Sequence, residues 1–195
     1  MRLGWTTDLC VYSSSSRGAS GVGAGDRRCE FTFFTSFGSA VAKLHSAACE
    51  GFSSRVGGAS IAPTFPTWAD YVAYRVPQIL GRAVKTNLYS PTEWNEIFDQ
   101  AMHLVERVSP VVEPRLTHRD LYLDNVLAGP DYRVAAIVDF DNAEPWDVAA
   151  DWVKLRWQVF PRYAGAADAY RTGYHTAAGE LPMLESACGW RTFLS

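Results

Sequence analysis

The stretch THRDLYLDNVLAGPDYRVAAIVDFDNAEPWD gathers His118, Asp120, Asp124 and Asn125 before one apolar run, and Asp139 and Asp141 after the next. Carboxylates and amides so placed can do two things: hold a hard cation through oxygen, and take or orient a proton. The runs at 125–128 and 133–140 read as two short strands around the turn chemistry of Gly129, Pro130 and Asp131. Antiparallel pairing about position 132 would set Asn125 opposite Asp139 at the open end of a hairpin. One amide oxygen and one carboxylate would then face a common point. That donor set suits magnesium, which takes one or two protein groups and fills its other positions with phosphate and water. Asp120 lies on a loop feeding the same end, where it would accept or orient the proton of an attacking hydroxyl. Together these are the requirements of phosphoryl transfer: a positioned nucleophile, and a metal on the phosphates.

Helices must position most of this. Phe37, Val41, Leu44 and Ala48 recur at helical spacing and predict a helix over about 36–50. Thr67 before WADYVAY, with Asp70 three residues on, marks a second start, and Pro77 is expected to kink or end that helix. The clearest helix runs over about 91–108, with Ser90 as N-cap, Pro91 in the first turn and Glu93 closing a capping box. Trp94, Ile97, Phe98, Ala101, Leu104, Val105 and Val108 form its apolar stripe, predicted to be core. Helical patterns resume near 147–160 and 164–178, where Asp147 and Asp151 read as structural caps. Two short strands among many helices do not make a doubly wound sheet. The fold class expected is mainly α with a small β-hairpin (α+β).

Composition narrows the function classes. The chain has 195 residues, 48% hydrophobic and 20% charged, which is ordinary for about one globular domain. A net charge of −3 carries no basic field, so no nucleic-acid partner is expected. No uncharged apolar run approaches the ~18 residues of a membrane span, so no membrane partner is expected either. The opening MRLGWTTDLC lacks the apolar centre of a signal peptide. Cys10, Cys29, Cys49 and Cys188 form no CxxC pair and read as free thiols of a cytoplasmic protein. Residues 1–35 read as a Ser/Gly-rich irregular segment, because GASGVGAGD matches no phosphate-loop pattern and has no lysine near it. Residues 53–67 read as a loop.

HRDLYLDN followed by IVDFD resembles the catalytic core of the aminoglycoside phosphotransferase family, part of the protein-kinase-like superfamily that includes choline kinases. The family pattern is His-x-Asp-x-x-x-x-Asn, a short hairpin, then Ile-x-Asp-Phe-(Asp/Glu). It stands here as His118, Asp120, Asn125, Ile137, Asp139, Phe140 and Asp141. Ala143, Asp147 and Asp151 continue the likeness, and FGSAVAKLHS and TWADYVAYRV resemble two upstream helices of the family.

The resemblance implies a protein-kinase-like C-terminal lobe over residues 36–195, with ATP and Mg2+ as cofactors. It implies transfer of the γ-phosphoryl group to a hydroxyl of a small molecule, an aminoglycoside-like antibiotic or a metabolite. Asp120 would be the catalytic base or hydroxyl-orienting carboxylate, and His118 would brace its loop. Asn125 and Asp139 would hold the magnesium. Asp141 shares a strand face with Asp139 if the chain stays extended there; it would help position the metal or make a structural hydrogen bond. Arg119 and Trp146 depart from the pattern, standing where the family usually has glycine.

The family's N-terminal lobe, with its phosphate lysine, is largely absent: residues 1–35 hold no lysine. The expectation is a catalytic half behind a foreign or truncated N-terminus, with incomplete activity. The alternative is a non-catalytic remnant or small-molecule binding module. The uncovered lobe face would be apolar and favour self-association. Glu144, Asp168, Glu180 and Glu185 are the carboxylates open to a cationic acceptor. A third reading takes Asp139-Phe140-Asp141 as the metal-binding DxD of a glycosyltransferase, and calls for a larger α/β sheet than two strands.

Overall fold

The computed structural model describes residues 24–53 and 63–178. The helices are α1 (Ala24–His45), α2 (Trp68–Ala83), α3 (Pro91–Val108), α4 (Ala150–Lys154) and α5 (Ala166–Ala178). The strands are β1 (Arg115–Thr117), β2 (Val126–Ala128), β3 (Val134–Ile137) and β4 (Glu144–Trp146). They form two antiparallel pairs, β1 with β4 and β2 with β3. The described residues are thus mainly helical with small antiparallel sheets, and they hold none of the larger sheet that a glycosyltransferase reading calls for. The chain divides into two compact units. Among described residues the first holds 24–44, 120–141 and 151–178, and the second holds 45–53, 63–119 and 142–150.

In the first unit, α1 begins at Ala24 rather than near 36, so the segment expected to be irregular is helical over its last part. The serine run at 13–16 lies outside the described residues. Phe33, Phe34, Phe37, Val41 and Ala42 are buried, and burial of this face outweighs the weak helix propensity of the threonines, serines and phenylalanines that carry it. Phe34 packs on Phe160 and Tyr163, and Phe37 meets Tyr170 edge-on with ring centres 5.3 Å apart. Two glycines set how closely α1 and α5 approach. A Cβ at Gly38 would overlap the carbonyl oxygen of Tyr170, and one at Gly173 would overlap that of Thr35. Ser39 Oγ closes the contact by donating to the Gly173 carbonyl at 2.9 Å.

The helix expected over 147–160 is broken into pieces. It starts at Ala150, widens to a π-helical turn at Leu155–Val159 and tightens at Phe160–Arg162. The wide turn buries both Leu155 and Val159.

The β2–β3 hairpin pairs Val126 with Ile137 and Leu127 with Ala136, then slips to Ala128 with Val134 across a bulge. Ser36 Oγ of α1 accepts the Val134 N–H at 2.9 Å and ties the hairpin to the helix.

In the second unit, Thr67 caps α2 by accepting the Asp70 N–H at 3.1 Å. Contrary to expectation, α2 runs through Pro77 to Ala83. Ala73, Tyr74 and Pro77 are exposed, so water can satisfy the carbonyl that the missing proline N–H leaves open. α3 has the capping box expected of it: Ser90 Oγ accepts the Glu93 N–H, and Glu93 Oε2 accepts the Ser90 N–H at 2.8 Å. Those bonds to Ser90 hold the Glu93 carboxyl below the usual range. The stripe of α3, however, is not core except at its end, where Val108 packs against the buried residues. None of its residues is buried, and Ile97 and Leu104 are 42% and 54% exposed. The core of this unit is Phe52, Tyr71 and Val112, with Phe65, Trp68, Val72, Val108 and Trp146 against it. The β1–β4 pair was not legible in the sequence, because three-residue strands, one containing Pro145, carry no alternation.

Asp147 acts as the expected cap: its Oδ1 accepts the Ala149 N–H at 2.9 Å. Burial raises its pKa, while the Ala149 bond and His45 pull the other way. A raised aspartate pKa means the folded chain binds the proton more tightly than the unfolded one. Stability therefore falls as pH rises from the ordinary aspartate value through the folded one. Asp147→Asn keeps an acceptor for Ala149 and removes the charge. It is expected to raise Tm at pH 7 by about 2–4 °C for each kcal/mol recovered, with the gain shrinking toward pH 4. Thermal melts at the two pH values check this, and a lower Tm at pH 7 would contradict it.

Candidate active site

Asp120, Asn125, Asp139 and Asp141 all fall in the first unit, and His118 in the second. Asn125 ends a tight turn, Leu123–Asn125, that feeds β2. Its Nδ2 donates to the Asp120 carbonyl at 2.9 Å. The amide nitrogen is thereby committed, and Oδ1 accepts no hydrogen bond among the described residues.

The backbone carbonyl of Asn125 accepts the Val138 N–H at 2.9 Å. Asn125 therefore faces Val138 and not Asp139 as expected. The bulge at Leu127 and Ala128, with a left-handed Tyr132 in the turn, moves the register off the symmetric hairpin. Asp139 follows directly, itself left-handed with a φ of 65°. The chain leaves the strand there, and Phe140–Asn142 forms a tight turn. Asp139 and Asp141 consequently do not share an extended strand face. Both carboxylates are exposed, and neither makes a hydrogen bond or ion pair among the described residues.

An open amide oxygen and an open carboxylate at this end of the hairpin fit magnesium, which needs only one or two protein oxygens. No group of three or more His, Cys, Asp or Glu able to hold a metal occurs among the described residues. The donor set is thus not that of an all-protein cage.

Asp120 is half-buried, and its Oδ1 is ion-paired with Lys154 Nζ at the end of α4. The same ammonium stands 4.1 Å from the centre of the Tyr122 ring. Burial lowers the Lys154 pKa, but the bonds to Asp120 and Tyr122 more than offset this and hold it above the usual value. Sequence reasoning missed Lys154. The available signal was scarcity: it is one of three lysines, and the one that follows the second acidic motif.

The sequence pattern of the Phosphotransferase enzyme family matches residues 26–187. The chain belongs to this aminoglycoside phosphotransferase family. Among solved structures, it is similar to a macrolide 2'-phosphotransferase type I at 20% identity and a TM-score of 0.47. That likeness covers 85% of this chain and 51% of the other, so the chain spans about half that structure's length. No curated protein matches the chain. No helix among the described residues is long and apolar enough to cross a membrane.

The two departures from the phosphotransferase pattern touch one another. Arg119 has a φ of 63°, the left-handed region that favours glycine. Holding arginine there costs about 1–3 kcal/mol. Its guanidinium pairs with the buried Glu144 and lies 3.7 Å over the Trp146 ring. A cation on an indole face contributes about 0.5–2 kcal/mol, and the ion pair adds to it, so the strain has a visible offset. His118 is fully buried beside it in sequence, and Thr117 Oγ1 donates to the Glu144 carbonyl at 2.9 Å.

Glu144 is therefore not a free carboxylate for a cationic acceptor, as the phosphotransferase resemblance had left open. Asp168 is exposed and pairs with Arg171 at 3.4 Å, and Glu180 and Glu185 lie outside the described residues. A cavity of about 710 Å³ lies between α1 and the hairpin, with Thr35, Ser39 and Lys43 on one wall and Ile137 and Phe140, close to Asp139 in sequence, on the other.

Proposed function

We propose that this chain is the catalytic half of an ATP-dependent phosphotransferase. It moves the γ-phosphoryl group to a hydroxyl of a small molecule on a protein-kinase-like C-terminal lobe. The observation that carries this reading is the state of Asn125: its nitrogen is spent on the Asp120 carbonyl, while its oxygen and the Asp139 carboxylate stay open one register step apart. Asn125 and Asp139 would hold the magnesium, and Asp141, which makes no hydrogen bond or ion pair among the described residues, would help position it. Bound Mg-ATP supplies the phosphoryl group and neutralises charge on it. Asp120 takes the proton of the acceptor hydroxyl. His118 is fully buried, and its part would be structural rather than chemical. Leu127, Val138 and Phe140 are exposed around the hairpin, a surface that supports closure against a further lobe or a second copy of the chain.

Titration calorimetry tests the metal site. Saturable Mg-ATP binding by the wild-type chain, weakened at least about tenfold by Asp139→Ala, is the expected result; tenfold corresponds to ~1.4 kcal/mol. Binding that is unchanged in Asp139→Ala would overturn the assignment. No Mg-ATP binding together with a Tm shift on adding a hydroxyl-bearing acceptor would favour a binding module instead.

A further inference from the structure

We infer that the exposed seam of α3 is an interface between two copies of this chain, whose α3 helices pair antiparallel about a two-fold axis. The inference is independent of the phosphotransferase reading above. α3 carries more apolar surface than α2 covers. Phe98, Met102 and Val105 are half-buried, and α2 packs along the helix. A second line of residues stands out from it. Trp94, Ile97, Ala101 and Leu104 recur at intervals of three, four and three, the spacing by which one helix lies along another. Trp94 is half-buried against the rings of Tyr89 and Phe98, while Ile97, Ala101 and Leu104 are exposed. Just ahead of the helix, Leu88 and Tyr89 are 73% and 50% exposed and extend this apolar surface.

The seam fits its own inversion. Two copies set antiparallel about position 99 bring Trp94 onto Leu104 of the second copy and Ile97 onto its Ala101, and the two-fold repeats both contacts. The small Ala101 leaves room for Ile97 on each side of the axis, so the helices can approach closely there.

Charge selects the direction. Glu93 lies in the first turn of α3 and Arg107 in the last. Antiparallel pairing sets Glu93 beside Arg107 of the second copy at both ends of the seam. A parallel pair would set glutamate against glutamate and arginine against arginine. The bonds from Ser90 hold the Glu93 carboxyl below the usual range, so it is charged near neutral pH. His103 and Glu106 pair with one another on their own helix at 3.8 Å, away from the seam. Four layers make a small interface, at the transient end of the known range, so a dissociation constant in the micromolar range or weaker is expected.

Sedimentation equilibrium of the full chain tests this, with a thiol reductant present so that no disulfide joins the chains. Wild type, Leu104→Glu, Ile97→Glu and Arg107→Glu are compared over a concentration series. Wild type is expected to dimerise reversibly. Leu104→Glu and Ile97→Glu should each weaken the dimer at least about tenfold, because each places a carboxylate in two of the four layers. Arg107→Glu should weaken it several-fold, because two exposed ion pairs become two repulsions. All three side chains are exposed, so the melts of the dilute variants should stay near that of wild type. A wild type that stays monomeric into the millimolar range overturns the inference, and so does assembly beyond a dimer, since a two-fold contact closes on itself. A dimer unchanged by both Leu104→Glu and Ile97→Glu also overturns it, and moves the association to another face such as the exposed hairpin. A dimer lost in those two variants but unmoved by Arg107→Glu overturns the antiparallel pairing.

Discussion

Gly173→Ala is expected to prevent the first unit from folding rather than merely weaken it. The added methyl would overlap the Thr35 carbonyl, and its nearest neighbours are all backbone atoms of α1. No flexible side chain can swing away. α1 would have to retreat from α5, which would open the Phe37–Tyr170 contact and break the Ser39–Gly173 bond. Overpacking a core usually costs about 1–3 kcal/mol when side chains can adjust. Here a whole helix must move, so the expected loss exceeds ~4 kcal/mol, against a total stability of about 5–15 kcal/mol. Alanine's better helix propensity returns only ~1 kcal/mol. Gly38→Ala meets the Tyr170 carbonyl and should behave alike. Soluble yield and the circular dichroism melt check both variants; a Tm within a few degrees of wild type would show that the two helices can separate cheaply.

Asp120→Asn is expected to lower phosphoryl transfer by about 10²–10⁴-fold, the range for loss of a general base. Asparagine has the same size and can still accept a bond from Lys154, so the fold should hold. It cannot take the acceptor's proton. Asn125 and Asp139 are untouched, so Mg-ATP affinity should not change. Asp139→Ala should fail the other way, losing affinity first. A coupled ADP assay beside calorimetry separates the two patterns. Equal loss of affinity in both variants would mean that Asp120 belongs to the metal site and not to proton transfer.

Where local chemistry decides, the fold was legible. Ser90, Pro91 and Glu93 announce the start of α3, and Thr67 that of α2. The acidic motifs and the hairpin between them could be placed from residue types alone. Register could not. It depended on a bulge at Leu127 and a left-handed Tyr132, neither of which carries the glycine that usually marks such positions. The start of α1 was hidden because its helicity comes from burial against α5, far along the chain. The α3 stripe shows the limit of periodicity: it reveals that a helix has two faces, not whether anything covers one of them. Lys154 was missed because spacing arguments see neighbours in sequence, and its partner is tertiary. The glycine preference at position 119 could be read from the motif, but its left-handed backbone needed the structure.

The distance in sequence between Ser39 and Gly173, 134 positions, has a consequence for how the chain is made. At roughly 5–20 residues per second on the ribosome, the packing partner of α1 appears about 7–27 s after α1 itself. Through that interval Phe34 lacks the rings of Phe160 and Tyr163, and Phe37 that of Tyr170. They offer an aromatic surface to chaperones and to other nascent chains. Growth temperature and chaperone supply should therefore govern the recovered amount of this protein more than the stability of the finished molecule does.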